Sequence, residues 1–172
     1  MRTHSPLVTD VSELLESPGY RKRISLRAEV PGLDAGLSHA APDVQFDLTG
    51  EAIEGGIWIT GTIAGRYSAE CRRCLVPIDR EYTFQAAELY RPAGDAWEEG
   101  YVIKEETIDL APLVRDTVLL NLPQNPLCRP DCAGLCSVCG RSLNDDPHTH
   151  GPEVDARWSA LKDLGGPNGP LG

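Results

Sequence analysis

Cysteine and histidine residues are concentrated in one short part of this 172-residue chain. Four of the six cysteines lie between Cys128 and Cys139, and His148 and His150 follow shortly afterwards. The other two cysteines form a distant C-x-x-C pair at 71–74. Residues 126–151 carry few apolar side chains, so burial alone cannot order them. This segment needs another source of order, and that need constrains the fold most.

The cellular compartment determines whether cysteines are expected to form disulfides or to serve as metal ligands and redox groups. The N-terminal stretch has no apolar signal core, and no apolar run is long enough to span a bilayer. We therefore expect a cytoplasmic protein without a membrane segment. In a reducing cytosol, six cysteines are typical of metal ligands or redox groups rather than disulfides.

The ligand spacing predicts zinc binding. Structural zinc is held by four thiolate or imidazole ligands in a tetrahedron. Cys136 and Cys139 can supply two sulfurs from one tight turn, and Gly140 can adopt the positive φ that such a turn needs. His148 and His150 can add two nitrogens locally, at little cost in loop entropy. The remaining thiols would form a second site from Cys71, Cys74, Cys128 and Cys132.

A second pairing of the same eight ligands is also possible. Cys71 and Cys74 could join Cys136 and Cys139 in a four-thiolate ribbon. The other zinc ion would then be bound by Cys128, Cys132, His148 and His150. Spacing favours the local pairing but leaves both open, with one or two zinc ions bound.

Hydrophobic periodicity predicts an antiparallel β-rich body. Apolar residues alternate along several segments, which is typical of half-buried strands. A glycine-rich turn follows Ile53, and 31–42 has the composition of a loop. The C-x-x-C pair at 71–74 falls at the loop tip between two long strands. The predicted strands are 23–30, 44–53, 57–68, 77–90 and 101–104.

Three short helices are predicted around this body. Asp10 and Glu13 resemble a capping box at the start of the first. Asp109 can cap a second helix, whose apolar positions are Leu110, Leu113, Val114, Val118 and Leu120. A third is indicated by Val154, Trp158 and Leu161.

The predicted fold class is therefore α+β. It combines an antiparallel β-rich body, either a meander or a partial barrel, with a C-terminal zinc-knuckle segment and short helices. The expected organisation is an N-terminal helix and lead-in over 1–19, the body with its closing helix over 20–122, the zinc-binding segment with the last helix over 123–164, and a disordered tail over 165–172.

The charge distribution limits nucleic-acid binding to one surface. The net charge of −10 argues against broad, non-specific binding, which depends on neutralising phosphates. Two basic clusters nevertheless lie in the first half of the chain. They give five candidate RNA-binding residues: Arg21, Lys22, Arg23, Arg72 and Arg73.

Four segments together resemble a known family. They read CRRC, IDLAPLVRDTVLLNLPQNPLC, CAGLCSVCGRSLN and VDARWSALKDL, and the resemblance covers residues 20–165. Their order and spacing resemble the YceD family, the large ribosomal RNA subunit accumulation proteins. His148 and His150 stand where the family pattern has C-x-C, and Ala156 replaces a proline.

The resemblance implies a role in accumulation of large-subunit ribosomal RNA. We find no catalytic motif or evident small-molecule substrate, so we expect a non-enzymatic assembly factor with structural zinc. Its partner would be large-subunit ribosomal RNA or a ribosomal or maturation protein. One alternative is a cytosolic thiol redox or metal-transfer protein using Cys71 and Cys74, and another is a nuclease of the assembly pathway.

Overall fold

A computed structural model describes residues 7–94, 100–151 and 157 of the chain. The chain divides into two compact units, Met1–Pro130 and Asp131–Gly172. The predicted third helix and the C-terminal tail lie outside the described residues. Within the described ranges, no helix is both long enough and apolar enough to cross a membrane.

The described part of the first unit is built on one nine-stranded sheet, which confirms the strand-rich prediction. The sheet curls into a half-barrel. Its strands are β1 Val8–Asp10, β2 Arg21–Glu29, β3 Asp34–Ala35, β4 Ser38–Ala40, β5 Asp43–Ile53, β6 Gly56–Glu70, β7 Pro77–Pro92, β8 Val102–Lys104 and β9 Thr107–Asp109.

Strand β6 organises the sheet. One edge of β6 pairs with β7 along almost its whole length. The other edge is shared by β5 and, nearer the C-terminal end of β6, by β4. Strand β2 pairs with β5, while β7 pairs in parallel with β8, which continues the sheet through β9 to β1. The end of β6 and the start of β7 therefore project together, and residues 71–76 connect them.

Alternating apolar residues cover the inner face of the sheet. Phe46, Leu48, Ile59 and Ile63 are completely buried there. The β-branched residues among them suit a pleated, half-buried surface. The result is one continuous core in the first unit.

Two helices close this core, with small departures from the prediction. Helix α1 spans Ser12–Glu16, and α2 spans Ala111–Asn121. Asp10 accepts hydrogen bonds from the backbone and hydroxyl of Ser12, but the predicted capping box is wrong because Glu13 pairs with Lys22 instead.

The predicted apolar face of α2 is correct except at its end. The predicted cap by Asp109 is not found, because Leu110 is the N-cap residue and no side chain caps the helix; Asp109, one position earlier, accepts a hydrogen bond at Oδ1 from the Ala111 N–H at 2.9 Å. Leu113, Val114 and Val118 are fully buried. Leu120 is 79% exposed because it lies in the last turn, at the margin of the buried stripe.

The predicted loop at 31–42 is wrong in detail. It contains the short antiparallel hairpin of β3 and β4, and β4 pairs with the end of β6. Strands β1 and β9 also had no sequence signal. Two- and three-residue strands are too short to show a period of two, so their pairing depends on tertiary contacts.

Candidate metal centres

The first C-x-x-C pair forms a compact knuckle after β6. The Cys71 N–H donates to the Val76 carbonyl at 3.0 Å, and the Leu75 N–H donates to the Cys71 carbonyl at 2.9 Å. Leu75 has a φ of 61°, in the left-handed region that favours glycine. The register of β6 and β7 supports this turn, because Glu70 pairs with Pro77 directly below it.

The second C-x-x-C pair forms a knuckle with the same hydrogen bonds. The Cys136 N–H donates to the Arg141 carbonyl at 2.8 Å, and the Gly140 N–H donates to the Cys136 carbonyl at 2.9 Å. Gly140, the counterpart of Leu75, has a φ of 73°. Both cysteine pairs therefore share one turn, in which backbone N–H groups within the pair donate to the first sulfur.

The first unit brings three thiols together. The sulfurs of Cys71, Cys74 and Cys128 all lie within 4.8 Å of one another, and Cys74 Sγ lies 3.6 Å from Cys128 Sγ. Arg80 Nη2 donates to the Cys128 carbonyl at 2.7 Å, and the N–H of Arg72 donates to the Pro126 carbonyl at 2.9 Å. These two bonds fix the segment around Cys128 against β7 and the knuckle.

The second unit brings together two thiols and two imidazoles. The ligand atoms of Cys136, Cys139, His148 and His150 lie within 4.8 Å of one another. Cys139 Sγ lies 3.1 Å from His148 Nε2, and the two imidazole rings meet edge to face. Cys136 and Cys139 group with the histidines, as in the local pairing, and which ligands share a metal ion remains a prediction.

The histidine geometry suits a metal ligand. His148 Nδ1 lies 2.7 Å from the Asp146 carbonyl, which can only accept a hydrogen bond. Nδ1 must therefore carry the proton in the neutral ring, which leaves the Nε2 lone pair directed towards Cys139. Metal-binding histidines commonly donate their second ring N–H to a carbonyl in this way.

Cys132 lies at the start of the second unit and is almost fully buried. Its sulfur accepts a hydrogen bond from Asn144 Nδ2 at 3.3 Å, while Asn144 Oδ1 accepts one from the Ala133 N–H at 2.8 Å. An amide that donates to sulfur stabilises a thiolate. Asn144 therefore holds the sulfur of Cys132, a candidate ligand, in place.

The knuckles favour the thiolate form of their first cysteines. Burial alone would raise the pKa of Cys71, but backbone N–H groups of Cys128, Cys74 and Arg73 outweigh it and lower that pKa to about 6. Backbone N–H groups of Cys139 and Val138 similarly lower the pKa of Cys136 to about 6. Since the thiolate is the form that binds metal, both directions fit the ligand assignment.

The first basic cluster is largely neutralised by ion pairs. Arg21 pairs with Glu51 across the strands, and Lys22 pairs with Glu13. Arg23 donates to Asp47, the carboxylate on the neighbouring strand. These exposed pairs are weak individually, but they remove the net positive charge expected of this cluster.

Arg72 and Arg73 lie between the ligands of the first knuckle, and both are exposed. Their position beside Cys71 separates them from the neutralised cluster on β2. That Arg72 and Arg73 contact RNA remains a prediction.

Three residues that hold the candidate ligands in place were not predicted from the sequence. Arg80, Asn144 and Asp146 hold the candidate ligands through the contacts described above. Asn144 and Asp146 lie among the ligands in sequence, and this proximity was a usable signal. Arg80 had none, because its contact with Cys128 spans 48 positions.

Comparison with known proteins identifies the family. The chain is 34% identical to uncharacterised proteins of Mycobacterium tuberculosis and Mycobacterium bovis, over 95% of this chain and 83% of each relative. It is 38% identical to a chloroplastic large ribosomal RNA subunit accumulation protein YCED homolog of Zea mays, over 23% of this chain and 14% of that protein.

No solved structure matches the chain. Residues 59–165 match the family model described as large ribosomal RNA subunit accumulation protein YceD, and this range contains all eight candidate ligands. The chain belongs to the YceD family.

Proposed function

We propose that this protein is a cytoplasmic, non-enzymatic ribosome-assembly factor that supports accumulation of large-subunit ribosomal RNA. The observation that carries this proposal is the match of residues 59–165 to the YceD family model. The proposed partner is large-subunit ribosomal RNA, or a ribosomal or maturation protein. We propose no small-molecule substrate.

Two structural zinc ions would organise the knuckles. Cys71, Cys74 and Cys128 would bind the first, with Cys132 as the fourth ligand because it follows Cys128 by only four positions. The second would be bound by Cys136, Cys139, His148 and His150. Two supporting observations are the shared knuckle hydrogen bonds and the Nδ1–H tautomer of His148. Zinc would order residues that have too little apolar surface to fold by burial.

The donor sets support a structural role for the metal. Catalytic zinc sites usually have three protein ligands and an open position for water. Four protein ligands in each proposed site would leave no such position. The thiol redox or metal-transfer alternative needs an accessible attacking sulfur. Cys71 is fully buried, which favours the structural role over that alternative.

Depletion of the protein from its host tests the proposed function. The ratio of large- to small-subunit ribosomal RNA should fall, and the wild-type gene should restore it. The Cys74→Ser variant should restore it poorly, while Leu120→Ala, which changes an exposed side chain on α2, should restore it fully. An unchanged ratio after depletion would contradict the proposal.

Co-purification from cell lysate, with and without RNase, identifies the kind of partner. Release of large-subunit particles by RNase would indicate RNA contact. Particles that stay bound would instead indicate a protein partner. Degradation of ribosomal RNA by the purified protein would favour a nuclease.

A further inference from the structure

Leu75 is an unusual residue for its position in the first knuckle. Its φ of 61° places it in the left-handed region, where a side chain with a Cβ is strained. The second knuckle has Gly140 at the equivalent position, with the same hydrogen bond to the first cysteine. The knuckle therefore requires the left-handed conformation, and glycine would meet that requirement without strain.

Burial does not compensate for this strain. The Leu75 side chain is 59% exposed, and its neighbour Val76 is 44% exposed. An exposed leucine gains little from the hydrophobic effect in the folded chain. Leu75 thus combines a strained backbone with an exposed apolar side chain, and neither feature stabilises the fold. Strain that glycine would avoid at this position suggests that the leucine side chain has a function.

The surroundings of Leu75 indicate the chemistry of a partner. Arg72 and Arg73 are exposed in the same knuckle, so one loop presents two guanidinium groups next to two apolar side chains. Guanidinium groups match the geometry of phosphate oxygens. Apolar side chains can cover the faces of nucleobases, but those faces are accessible only where bases are unpaired.

We propose that the tip of the first knuckle, formed by Arg72, Arg73, Leu75 and Val76, binds an unpaired segment of RNA. The arginines contact phosphates, and Leu75 and Val76 pack on exposed bases. The net charge of −10 for the whole chain restricts such binding to a local positive surface. This inference rests on the proposed function and specifies the form of RNA that is recognised.

The test compares two RNA probes and three forms of the full-length, zinc-loaded protein. The probes are a short labelled RNA without self-complementarity and the same RNA annealed to its complement. Fluorescence anisotropy measures binding by the wild type, Leu75→Gly and the control Leu120→Ala. Leu120 is also a largely exposed leucine of the first unit, but it lies on α2.

The wild type should bind the unpaired probe more tightly than the duplex. Leu75→Gly should weaken binding of the unpaired probe about fivefold, since contact with a base contributes appreciably to single-strand affinity. The same substitution should leave the thermal unfolding midpoint unchanged or raise it, because glycine relieves the strain. Leu120→Ala should bind both probes like the wild type.

Several outcomes would overturn this inference. Equal affinity for the two probes, no binding of either, or unchanged binding by Leu75→Gly would show that the knuckle tip does not recognise unpaired bases. A lower unfolding midpoint for Leu75→Gly would indicate a structural role. If ribosomal particles still co-purify with Leu75→Gly and remain bound after RNase, a protein contact away from Leu75 holds them; this inference then fails while the proposed assembly function stands.

Discussion

The Gly140→Ala substitution tests whether the knuckle backbone and metal binding are coupled. Gly140 has a φ of 73°, and a Cβ added there would meet no atom within 4 Å. The cost is therefore conformational rather than steric. A left-handed residue with a Cβ is disfavoured by about 1–2 kcal/mol, part of which is offset by the lower entropy of alanine in the unfolded chain.

A net strain of about 1 kcal/mol should appear as weaker zinc binding. The ligands of the second centre are assembled only when this knuckle is formed, so the strain reduces the free energy of metal binding. We expect about fivefold lower zinc affinity at this centre. Competition with a coloured chelator measures the affinity, and a parallel titration of Cys139→Ser identifies the contribution of this centre.

Gly36→Ala provides a matched control. Gly36 also has a positive φ, 62°, and no atom within 4 Å of an added Cβ, but it lies between β3 and β4 without a ligand nearby in sequence. It should lower the unfolding free energy of the first unit without changing zinc affinity at the second centre. Equal zinc affinity in Gly140→Ala and the wild type would refute the coupling, as would equal losses in both variants.

Three further predictions concern charge, pH and packing. Replacing Arg72 and Arg73 with Glu should weaken association with ribosomal particles and reduce its salt dependence, without changing zinc content. Sedimentation across a salt series measures this association. Unchanged association would show that these arginines are ordinary surface charges. In the formed knuckle, backbone N–H groups lower the pKa of Cys136 from 9.0 to about 6, so its thiolate is available to zinc at neutral pH and is protonated as the pH falls through 6. Zinc affinity measured by chelator competition should therefore fall between pH 7 and pH 5, and an affinity that does not change over this range would contradict the prediction. Tyr82→Phe should leave the unfolding free energy unchanged or raise it by up to about 1 kcal/mol, because the buried Tyr82 hydroxyl has no hydrogen-bond partner among the described residues. A clear loss of stability in thermal unfolding would show that this hydroxyl does have a hydrogen-bond partner.

The sequence predicted the long strands and α2 well because their apolar spacing is regular over many residues. Val44, Phe46 and Leu48 alternate along β5 as a half-buried strand requires. The short strands β1, β3, β4 and β9 could not be predicted in this way. Their two or three residues pair only because tertiary contacts place them beside longer elements.

The grouping of the candidate ligands was partly predictable from the sequence, and the residues that hold them in place were less so. C-x-x-C spacing identified both knuckles, since two sulfurs on one tight turn give a recognisable pattern. Spacing could not decide between two pairings of the ligands, and the structure places Cys139 beside His148, as in the local pairing. The pairing of Arg23 with Asp47 was also not predictable from the sequence, because this contact depends on the register between β2 and β5.

Zinc stoichiometry measured by native mass spectrometry tests the central claim most directly. Protein purified without chelator should carry two zinc ions, and Cys74→Ser and Cys139→Ser should each carry one. The variant with both substitutions should carry none, because the two cysteines belong to different centres. Wild-type protein without zinc would contradict the structural-metal account, and a double variant that keeps one zinc ion would show that Cys74 and Cys139 share a single four-thiolate site.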